Sequence, residues 1–340
     1  MEKKLLSIII PVYNNQDQIK NLIDEILSME LREQLEILCV DDGSEDQSLQ
    51  VLQSINDKNC LVLTQPHAGV SYARNLALDK ATGEYITFFD ADDNIDTNKF
   101  MAVLNKIKIE KPDLSIFGIY DRFIYSSEKI QLHRNYVENK RYSADEFFQN
   151  FGNLLNKHIM YSPCNKIYKR SIIERYQIRF NVECAIGEDM LFNLDYLQHV
   201  CNVRMFEEFV YLYNHDMMKI SSSSRKYHEN EFSILMKIIE KIKLLLENKK
   251  VYSKNEKEIH EFLVRKISYS INNLFFKGSH LTKEERLYFI DNLYNNALVK
   301  EAIDDPRVKM IEFDQKVLHF LHKRRWKRCI LYLYQLKNKR

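Results

Sequence analysis

The chain has 340 residues, of which 45% are hydrophobic and 29% are charged, so it can bury the core of one large domain and an accessory region. Its net charge of +2 indicates no partner by itself, but residues 316–340 contain nine Lys or Arg and no Asp or Glu. The apolar run near the N-terminus is too short for a signal peptide or a membrane span, and six scattered cysteines without a CxxC pair favour reduced thiols in a cytoplasmic protein.

The first hundred residues alternate between short apolar runs and segments whose apolar residues recur at helical spacing. Strands that are apolar on both faces and separated by helices indicate a parallel sheet covered on both sides, and right-handed crossovers then give a doubly wound α/β core. The predicted strands are LLSIII, LEILCV, CLVLT and GEYITFF, and the predicted helices are NQDQIKNLIDEILSM, SEDQSLQVLQSI with Ser44 as its N-cap, and GVSYARNLALDKA.

Polar residues follow each predicted strand, at 11–14, 41–44, 65–67 and 90–93. Because sheets of this class bind ligands at the carboxyl ends of their strands, this edge is the predicted site. The first loop lacks GxGxxG and the chain lacks GxxxxGK[ST], which excludes a dinucleotide-binding fingerprint and a P-loop. The aspartates of DADD at 90–93 instead predict a site for Mg²⁺ or Mn²⁺, which take hard oxygen ligands and phosphates.

Four segments together resemble the family-two glycosyltransferases: SIIIPVYN, ILCVDDGSEDQS, GVSYARNLALDKATGEYITFFDADD and GEDMLF occur in the family's order over residues 5 to about 220. The resemblance implies a GT-A (Rossmann-like) α/β fold, with a mostly parallel sheet and flanking helices. It also implies a nucleotide-activated sugar donor, usually a UDP-sugar, and transfer with inversion. We therefore predict a catalytic domain at 1–225, with nucleotide-sugar binding at 1–120 and the acceptor and catalytic part at 121–225.

The resemblance also implies roles at the nucleotide. Asp41 would accept a hydrogen bond from the base, and Asp42 would brace the turn that follows it. Arg74 and Asn75 would lie near the diphosphate or stabilise the acidic loop, and a salt bridge from Arg74 to Asp41 or Asp92 is the structural alternative. The implied nucleotide-binding residues are Pro11, Val12, Tyr13, Asn14, Asp41, Asp42, Arg74, Asn75, Asp90 and Ala91.

A metal site is implied on the acidic loop. Asp92 would bind Mn²⁺ or Mg²⁺ directly, Asp90 would hold the ribose and the outer metal sphere, and His215, which precedes a run of serines, would be a third ligand or touch the diphosphate. Asp93 would instead cap the next helix. Lys166 would reach a phosphate or the acceptor, with a surface position as the alternative.

Inverting glycosyl transfer needs one base, which takes the proton of the acceptor hydroxyl as its oxygen attacks the anomeric carbon. The resemblance places this base in the Glu188–Asp189 pair, and we prefer Asp189. The structural alternative is that both carboxylates only decorate a helix N-terminus, where negative charge is favourable.

Residues 226–340 change to amphipathic helices, and the resemblance does not extend into them. The last predicted helix, DQKVLHFLHKRRWKRCILYLYQLKNKR, is basic, amphipathic and contains the only tryptophan. It predicts peripheral attachment to an anionic membrane surface, at the inner face of the cell membrane, rather than nucleic-acid binding. Packing of its apolar residues into the protein's own core is the alternative.

The sequence as a whole predicts a metal-dependent hexosyltransferase that uses a UDP-sugar and a glycan or undecaprenyl-type lipid-linked acceptor in capsule or exopolysaccharide biosynthesis. A catalytically inactive carbohydrate- or nucleotide-binding scaffold is the alternative, and the intact Asp90, Asp92 and Asp189 favour the enzyme. A sugar-nucleotide pyrophosphorylase would carry a glycine-rich basic loop after the first strand, and none is present.

Overall fold

The structure is a computed structural model that describes residues 4–126, 129–216 and 226–338. The chain forms two compact units, Met1–Phe147 with Lys157–Met218, and Phe148–Asn156 with Lys219–Arg340. The sequence-based division at residue 225 assigned 148–156 to the first domain, whereas these residues group with the helical unit. The reason is local: the amide of Gly152 donates to the side-chain oxygen of Asn255 at 2.7 Å, and Asn255 donates in turn to the carbonyl of Phe148.

Within the described residues, the first unit contains one sheet of ten strands. The strands are β1 (Leu6–Val12), β2 (Leu35–Asp41), β3 (Cys60–Thr64), β4 (Tyr85–Phe88), β5 (Asn94–Ile95), β6 (Leu114–Ile124), β7 (Ile130–Asn135), β8 (Lys140–Ser143), β9 (Lys166–Lys169) and β10 (Asn202–Asp216). Their order is β3-β2-β1-β4-β9-β6-β10-β5, with β7 beside β6 and β8 beside β10. Strands β1 to β4, β6 and β10 run in one direction and β5, β7, β8 and β9 in the other, which confirms the mostly parallel sheet.

Helices flank this sheet and make up the second unit. Those of the first unit are α1 (Ile19–Leu27), α2 (Ser48–Gln53), α3 (Val70–Leu78), α4 (Thr97–Glu110), α5 (Ala144–Gln149, which runs on into the second unit), α7 (Arg170–Arg175) and α8 (Glu188–Leu197). The second unit contains α6 (Phe151–Asn156), α9 (Glu231–Asn248), α10 (Tyr252–Asn273), α11 (Lys283–Asn295), α12 (Ala297–Asp304), α13 (Phe313–Lys323) and α14 (Lys327–Lys337). None of the helices in the described part of the chain combines the length and the apolar character needed to cross a membrane.

The core explains why these segments fold as they do. The strands β1, β2 and β4 are almost wholly buried, as continuous apolar runs predict, while β3 lies at the sheet edge and leaves Leu61 exposed. Helix α1 buries Ile19, Leu22 and Ile26, which recur every three to four residues and so share one face. Ser44 is not the N-cap of α2, because that helix begins four residues later.

Strand register brings the polar loops together. Val12 pairs with Asp41 and Asp41 pairs with Thr64, so β1, β2 and β3 end side by side. Phe88, at the end of β4, pairs with Ile9 on the other side of β1. The three loops that follow the first three strands therefore begin at one edge, next to the acidic loop after β4.

In the second unit, the basic C-terminal segment differs from the single long helix that the sequence predicted. It forms two helices, α13 and α14, which break where Arg325 adopts a positive φ of 54°. His322, Ile330 and Tyr334 are buried in the unit's own core, so part of this segment is structural.

Candidate active site

The loops after β1 and β2 are tied together by hydrogen bonds. The amide of Asn14 donates to the hydroxyl of Ser44 at 3.0 Å, and the side-chain oxygen of Asn14 accepts from the amide of Glu45 at 2.8 Å. Asp41 accepts from the amide of Ser44 through Oδ2 at 3.2 Å, whereas its buried Oδ1 has no partner. Because buried carboxylate oxygens are nearly always hydrogen-bonded, this oxygen is the natural acceptor for a donor group on a ligand.

Asp42 braces the loop after β3 rather than its own turn, which corrects the sequence-based expectation. Its carboxylate accepts from the amides of Ala68 and Gly69, both at 2.9 Å, and from the side chain of Gln65 at 2.6 Å. The turn itself needs Gly43: its φ is +71°, and a Cβ there would lie 2.7 Å from the amide nitrogen of His67. Asp41, not Asp42, braces this turn.

A flat aromatic surface lies beside these carboxylates. The ring of Tyr13 stacks on the imidazole of His67, with centroids 4.2 Å apart and an interplanar angle of 22°. The imidazole is held in place because its Nδ1 lies 2.9 Å from Oδ2 of Asp42. Both rings are exposed, so they can pack against a ligand ring. His67 was not among the predicted site residues, although it lies in one of the polar loops at the predicted edge.

Arg74, on α3, is the centre of the site. Its guanidinium lies 2.6 Å from Oδ1 of Asp189 and 2.9 Å from Oδ1 of Asp90, with Glu188 at 4.0 Å, and the side chain is only 3% exposed. Burial by itself would lower the pKa of Arg74, but the carboxylates of Asp189 and Asp90 outweigh it and the pKa is raised. The pairs differ from the structural alternative of a salt bridge to Asp41 or Asp92: Arg74 joins Asp90 of the acidic loop to Asp189 at the start of α8.

Aromatic rings support this guanidinium from below. Phe180 lies under it, 5.0 Å from ring centroid to guanidinium carbon, and stacks on Phe192 of α8 at 4.1 Å. Asn75 fixes Phe180, because the Asn75 amide group donates to the Phe180 carbonyl and accepts from its amide, both at 2.8 Å. The polar atoms of Asn75 thus bind backbone, not a diphosphate or the acidic loop as the resemblance implied. Asn75 positions Phe180, and Phe180 packs against Arg74.

Lys166 is also placed differently from either sequence-based alternative. It is buried, and its Nζ donates to the carbonyls of Ile159 at 2.8 Å and Ser162 at 2.5 Å and to the side chain of Asn165 at 2.8 Å. Burial lowers the pKa of Lys166 to about 7. This lysine braces the chain before β9 and neither contacts solvent nor extends toward a ligand.

The acidic loop after β4 is organised by Tyr211 of β10. The Tyr211 hydroxyl accepts from the amide of Asp90 at 3.0 Å and donates to Oδ2 of Asp93 at 2.6 Å, and the other oxygen of Asp93 accepts from the amide of Asn214 at 2.7 Å. Burial, with the nearby charges of Asp90 and Asp92, raises the pKa of Asp93 well above its usual value. Asp93 does not cap α4.

The N-cap of α4 is Asp96, whose Oδ1 accepts from the amide of Lys99 at 3.0 Å. Beneath the acidic loop, the thiol of Cys164 lies 3.6 Å from the second oxygen of Asp90, and burial raises the pKa of that thiol. Neither Tyr211 nor Cys164 was among the predicted site residues, because each comes from a segment far along the chain whose pattern indicated only burial.

The predicted metal ligands Asp90, Asp92 and His215 are not brought together as a set. The imidazole of His215 lies 2.8 Å from Asp121 and stacks on Phe123 with centroids 4.4 Å apart, both on β6. In the described ranges, no three His, Cys, Asp or Glu side chains stand close enough to hold a metal ion. The serines that follow His215 lie outside the described residues.

Asp92 by itself fits a different kind of metal site. Its side chain is exposed and it lies directly after the buried Ala91, while its carbonyl accepts from the side chain of Asn214 at 2.7 Å. Mg²⁺ in proteins is commonly held by one or two carboxylates together with phosphates of the substrate. An exposed carboxylate on a fixed loop is suited to that arrangement.

The Glu188–Asp189 pair begins α8, after Gly187 with a φ of +75°. Burial and the neighbouring charge of Asp189 raise the pKa of Glu188 to about 7. Burial also raises the pKa of Asp189, although the Arg74 guanidinium opposes it. Carboxylates with raised proton affinity are suited to take a proton at neutral pH.

The mostly parallel sheet, its flanking helices and the polar loops at one sheet edge define a protein of the GT-A fold. The model of the family "Glycosyl transferase family 2" matches residues 7–177, half of the chain, and the chain belongs to this family.

Two relatives are similar to this chain in sequence. The Bacillus subtilis protein "Uncharacterized glycosyltransferase EpsJ" is 27% identical over 215 residues, which are 62% of this chain and 60% of that protein. The Staphylococcus aureus poly(ribitol-phosphate) beta-N-acetylglucosaminyltransferase TarS is 26% identical over 278 residues, or 79% of this chain and 45% of TarS. The chain therefore matches less than two thirds of the length of either protein.

Solved structures share the fold. TarS 1–349 in complex with UDP-GlcNAc superposes with a TM-score of 0.68 at 22% identity, covering 98% of this chain and 92% of that one. The mannosyltransferase PcManGT from Pyrobaculum calidifontis, in complex with GDP-Man and Mn²⁺, gives a TM-score of 0.51 at 14% identity, covering 99% and 88%. These likenesses confirm the predicted GT-A fold.

Proposed function

We propose that the chain transfers a hexose from a UDP-sugar to a hydroxyl of a growing surface glycan or an undecaprenyl-type lipid-linked acceptor, with inversion at the anomeric carbon. The observation that carries the proposal is the bridge of Arg74 between Asp90 of the acidic loop and Asp189 of α8. Through this buried guanidinium, Asp90 of the acidic loop is held close to Asp189, the proposed base. Two relatives are named poly(ribitol-phosphate) beta-glucosyltransferase and poly(ribitol-phosphate) beta-N-acetylglucosaminyltransferase, and these names support a polymer as the acceptor.

Donor recognition would use the three loops beyond β1, β2 and β3. The uracil ring would pack on the stacked rings of Tyr13 and His67, and its N–H would donate to the unpartnered Oδ1 of Asp41. Pro11 and Val12 end β1 and hold this loop, while Asn14 locks it to the loop after β2. A base that lacks an N–H at that position would leave the buried Asp41 oxygen unsatisfied, which supports uridine over cytidine nucleotides.

The chemical step needs one displacement. The acceptor oxygen forms its bond to the anomeric carbon as the bond to the diphosphate breaks, the UDP leaves with that electron pair, and the hydroxyl proton passes to Asp189. We prefer Asp189 because Arg74 fixes its carboxylate at 2.6 Å while 31% of the side chain stays exposed to an incoming acceptor. Glu188 is more buried and lies farther from the guanidinium.

A divalent cation, Mn²⁺ or Mg²⁺, would be held by the exposed Asp92 and the donor phosphates, and when bound it would neutralise charge on the leaving diphosphate. Asp90 would contribute to the ribose side of the loop while it remains paired with Arg74. His215 is not included, because its ring nitrogen is paired with Asp121.

The site would operate in the cytoplasm, with the protein attached peripherally at the inner face of the cell membrane, where a lipid-linked acceptor is available. The basic C-terminal segment supports this location, since each Lys or Arg near an anionic leaflet contributes about 1 kcal/mol.

The test is release of UDP from a panel of UDP-hexoses and UDP-N-acetylhexosamines, with and without Mn²⁺, in the wild type and in Asp189→Asn. The matched control is Glu284→Gln, an exposed carboxylate in the first turn of α11. We expect metal-dependent UDP release that Asp189→Asn lowers by about 10²–10⁴-fold and that Glu284→Gln leaves unchanged. UDP binding without turnover of any donor would instead identify a scaffold protein.

A further inference from the structure

The turn between α13 and α14 carries an exposed aromatic pair among basic side chains. Phe320 is 50% and Trp326 is 51% exposed, and their rings contact edge to face with centroids 5.9 Å apart. The guanidinium of Arg324 lies 5.6 Å from the Phe320 ring. Lys323 and Arg328, close to the pair in the sequence, are also exposed. These five residues are called the turn patch below.

The basic residues of this turn fall into two groups. Arg325 pairs with Asp304 of α12 at 3.3 Å and Lys327 pairs with Asp291 of α11, so these two cations fasten the turn to its own unit. Over the stretch of the chain that the structure describes, Lys323, Arg324 and Arg328 form no ion pair with a carboxylate. The fold thus uses two of the five cations and leaves three on the surface.

We propose that the turn patch docks the protein on an anionic lipid bilayer, with the two rings at the headgroup level and the three cations on lipid phosphates. Aromatic rings with an apolar body favour the bilayer interface, and cations beside them add attraction to anionic lipids. Val317 is exposed one turn before Phe320 on α13, and it extends the apolar strip. A nucleic-acid backbone would leave such a strip uncovered, whereas the bilayer covers it.

This inference rests on the membrane location proposed above, and it assigns the contact with the membrane to the turn patch. Its test uses no sugar donor, so that it and the proposed transferase activity can fail separately. The full chain is sedimented with vesicles of phosphatidylcholine alone and of phosphatidylcholine with phosphatidylglycerol. Binding is expected only to the anionic vesicles, and raising the salt should release it as the screening length falls from about 10 Å at 0.1 M to 3 Å at 1 M.

Matched variants test the patch itself. Arg324→Gln with Arg328→Gln should lower the partition coefficient about 30-fold, the loss expected for two surface charges. Lys283→Gln with Lys300→Gln, exposed on α11 and α12, removes the same charge and should have little effect. Trp326→Ala should weaken binding to the anionic vesicles, and Tyr288→Ala, which truncates a 69% exposed ring on α11, should not. Circular dichroism melts confirm that all variants fold.

Three results would overturn the proposal. The first is equal vesicle binding by the patch variants and their controls. The second is a concentration-dependent dimer, measured by analytical ultracentrifugation, that Trp326→Ala abolishes while vesicle binding is absent, because the patch would then join two copies. The third is binding to single-stranded RNA in place of vesicles.

Discussion

Replacing Arg74 tests whether one buried cation holds the site together. The change to Met removes the partner of Asp189 at 2.6 Å and of Asp90 at 2.9 Å, and leaves Glu188 beside them. Removing one partner of a buried ion pair costs about 3–5 kcal/mol, and solvent screening of carboxylates that are 28% and 31% exposed places this case at the lower end, about 3 kcal/mol. For a unit of roughly 200 residues that is a fall in Tm of about 6–12 °C.

The loss of stability in Arg74→Met should increase with pH. Without the guanidinium, which opposes the effect of burial, the folded-state pKa values of Asp189 and Glu188 lie further above their unfolded values. Their protonated forms then stabilise the fold at low pH, and that stabilisation disappears as pH rises through the folded-state pKa values. The difference between the wild type and Arg74→Met should therefore be largest at pH 8 and smaller at pH 5, in urea unfolding measured at both values.

Activity gives the second readout. Arg74→Lys keeps a charge but cannot present two parallel donors to two carboxylates, so we expect transfer to fall by about 10²-fold with a smaller loss of stability. Arg179→Lys is the matched control, because Arg179 pairs with Asp79 on the surface of the same unit. A wild-type Tm and transfer rate in Arg74→Met would refute the role of this cation.

Three further changes separate chemistry, stability and metal binding. Asp189→Asn should keep UDP affinity, measured by calorimetry, while lowering turnover by about 10²–10⁴-fold; a larger loss in Glu188→Gln would assign the base to Glu188. The pKa of Glu188 is raised to about 7, so ionised Glu188 destabilises the folded state as pH rises above 4.5. In denaturant unfolding, Glu188→Gln should therefore be more stable than the wild type by up to about 3 kcal/mol at pH 8 and equally stable near pH 4. Asp92→Asn should abolish the Mn²⁺-dependent increase in Tm with UDP and leave the apo protein folded, and a retained increase would exclude Asp92 as a ligand.

The fold could be predicted from the sequence because its signals are local. Continuous apolar runs such as the one in β1 predict buried parallel strands, and the polar residues after them then have to meet at one sheet edge. Two features that differ from the prediction also have local causes, which the pattern of apolar residues does not reveal. The C-terminal segment breaks at Arg325, which adopts a left-handed conformation without being a glycine, and residues 148–156 join the second unit through Asn255.

Side-chain partners in the site could not be predicted in the same way. Arg74 and Asp189 are 115 residues apart, and their contact depends on how α8 packs on the aromatic cluster around Phe180. Asp41 braces the turn after β2 and Asp42 braces the loop after β3, because adjacent residues of an extended chain point in opposite directions, and spacing alone does not say which one faces which loop. From the sequence, Lys166 was expected at a phosphate, at the acceptor or on the surface. In the structure the side chain is buried, and its ammonium group donates to backbone carbonyls.

The charges of the site explain what a ligand has to supply. Five carboxylates crowd the acidic loop and the start of α8, and among the described residues the guanidinium of Arg74 lies within 4.0 Å of three of them. Arg74 serves Asp90 and Asp189, while Asp93 is satisfied by Tyr211 and a backbone amide and has a raised pKa. Asp92 is the member of the acidic loop whose side chain is exposed. An external cation is therefore expected to bind at Asp92 rather than at the centre of the cluster, where it would compete with a guanidinium already in place.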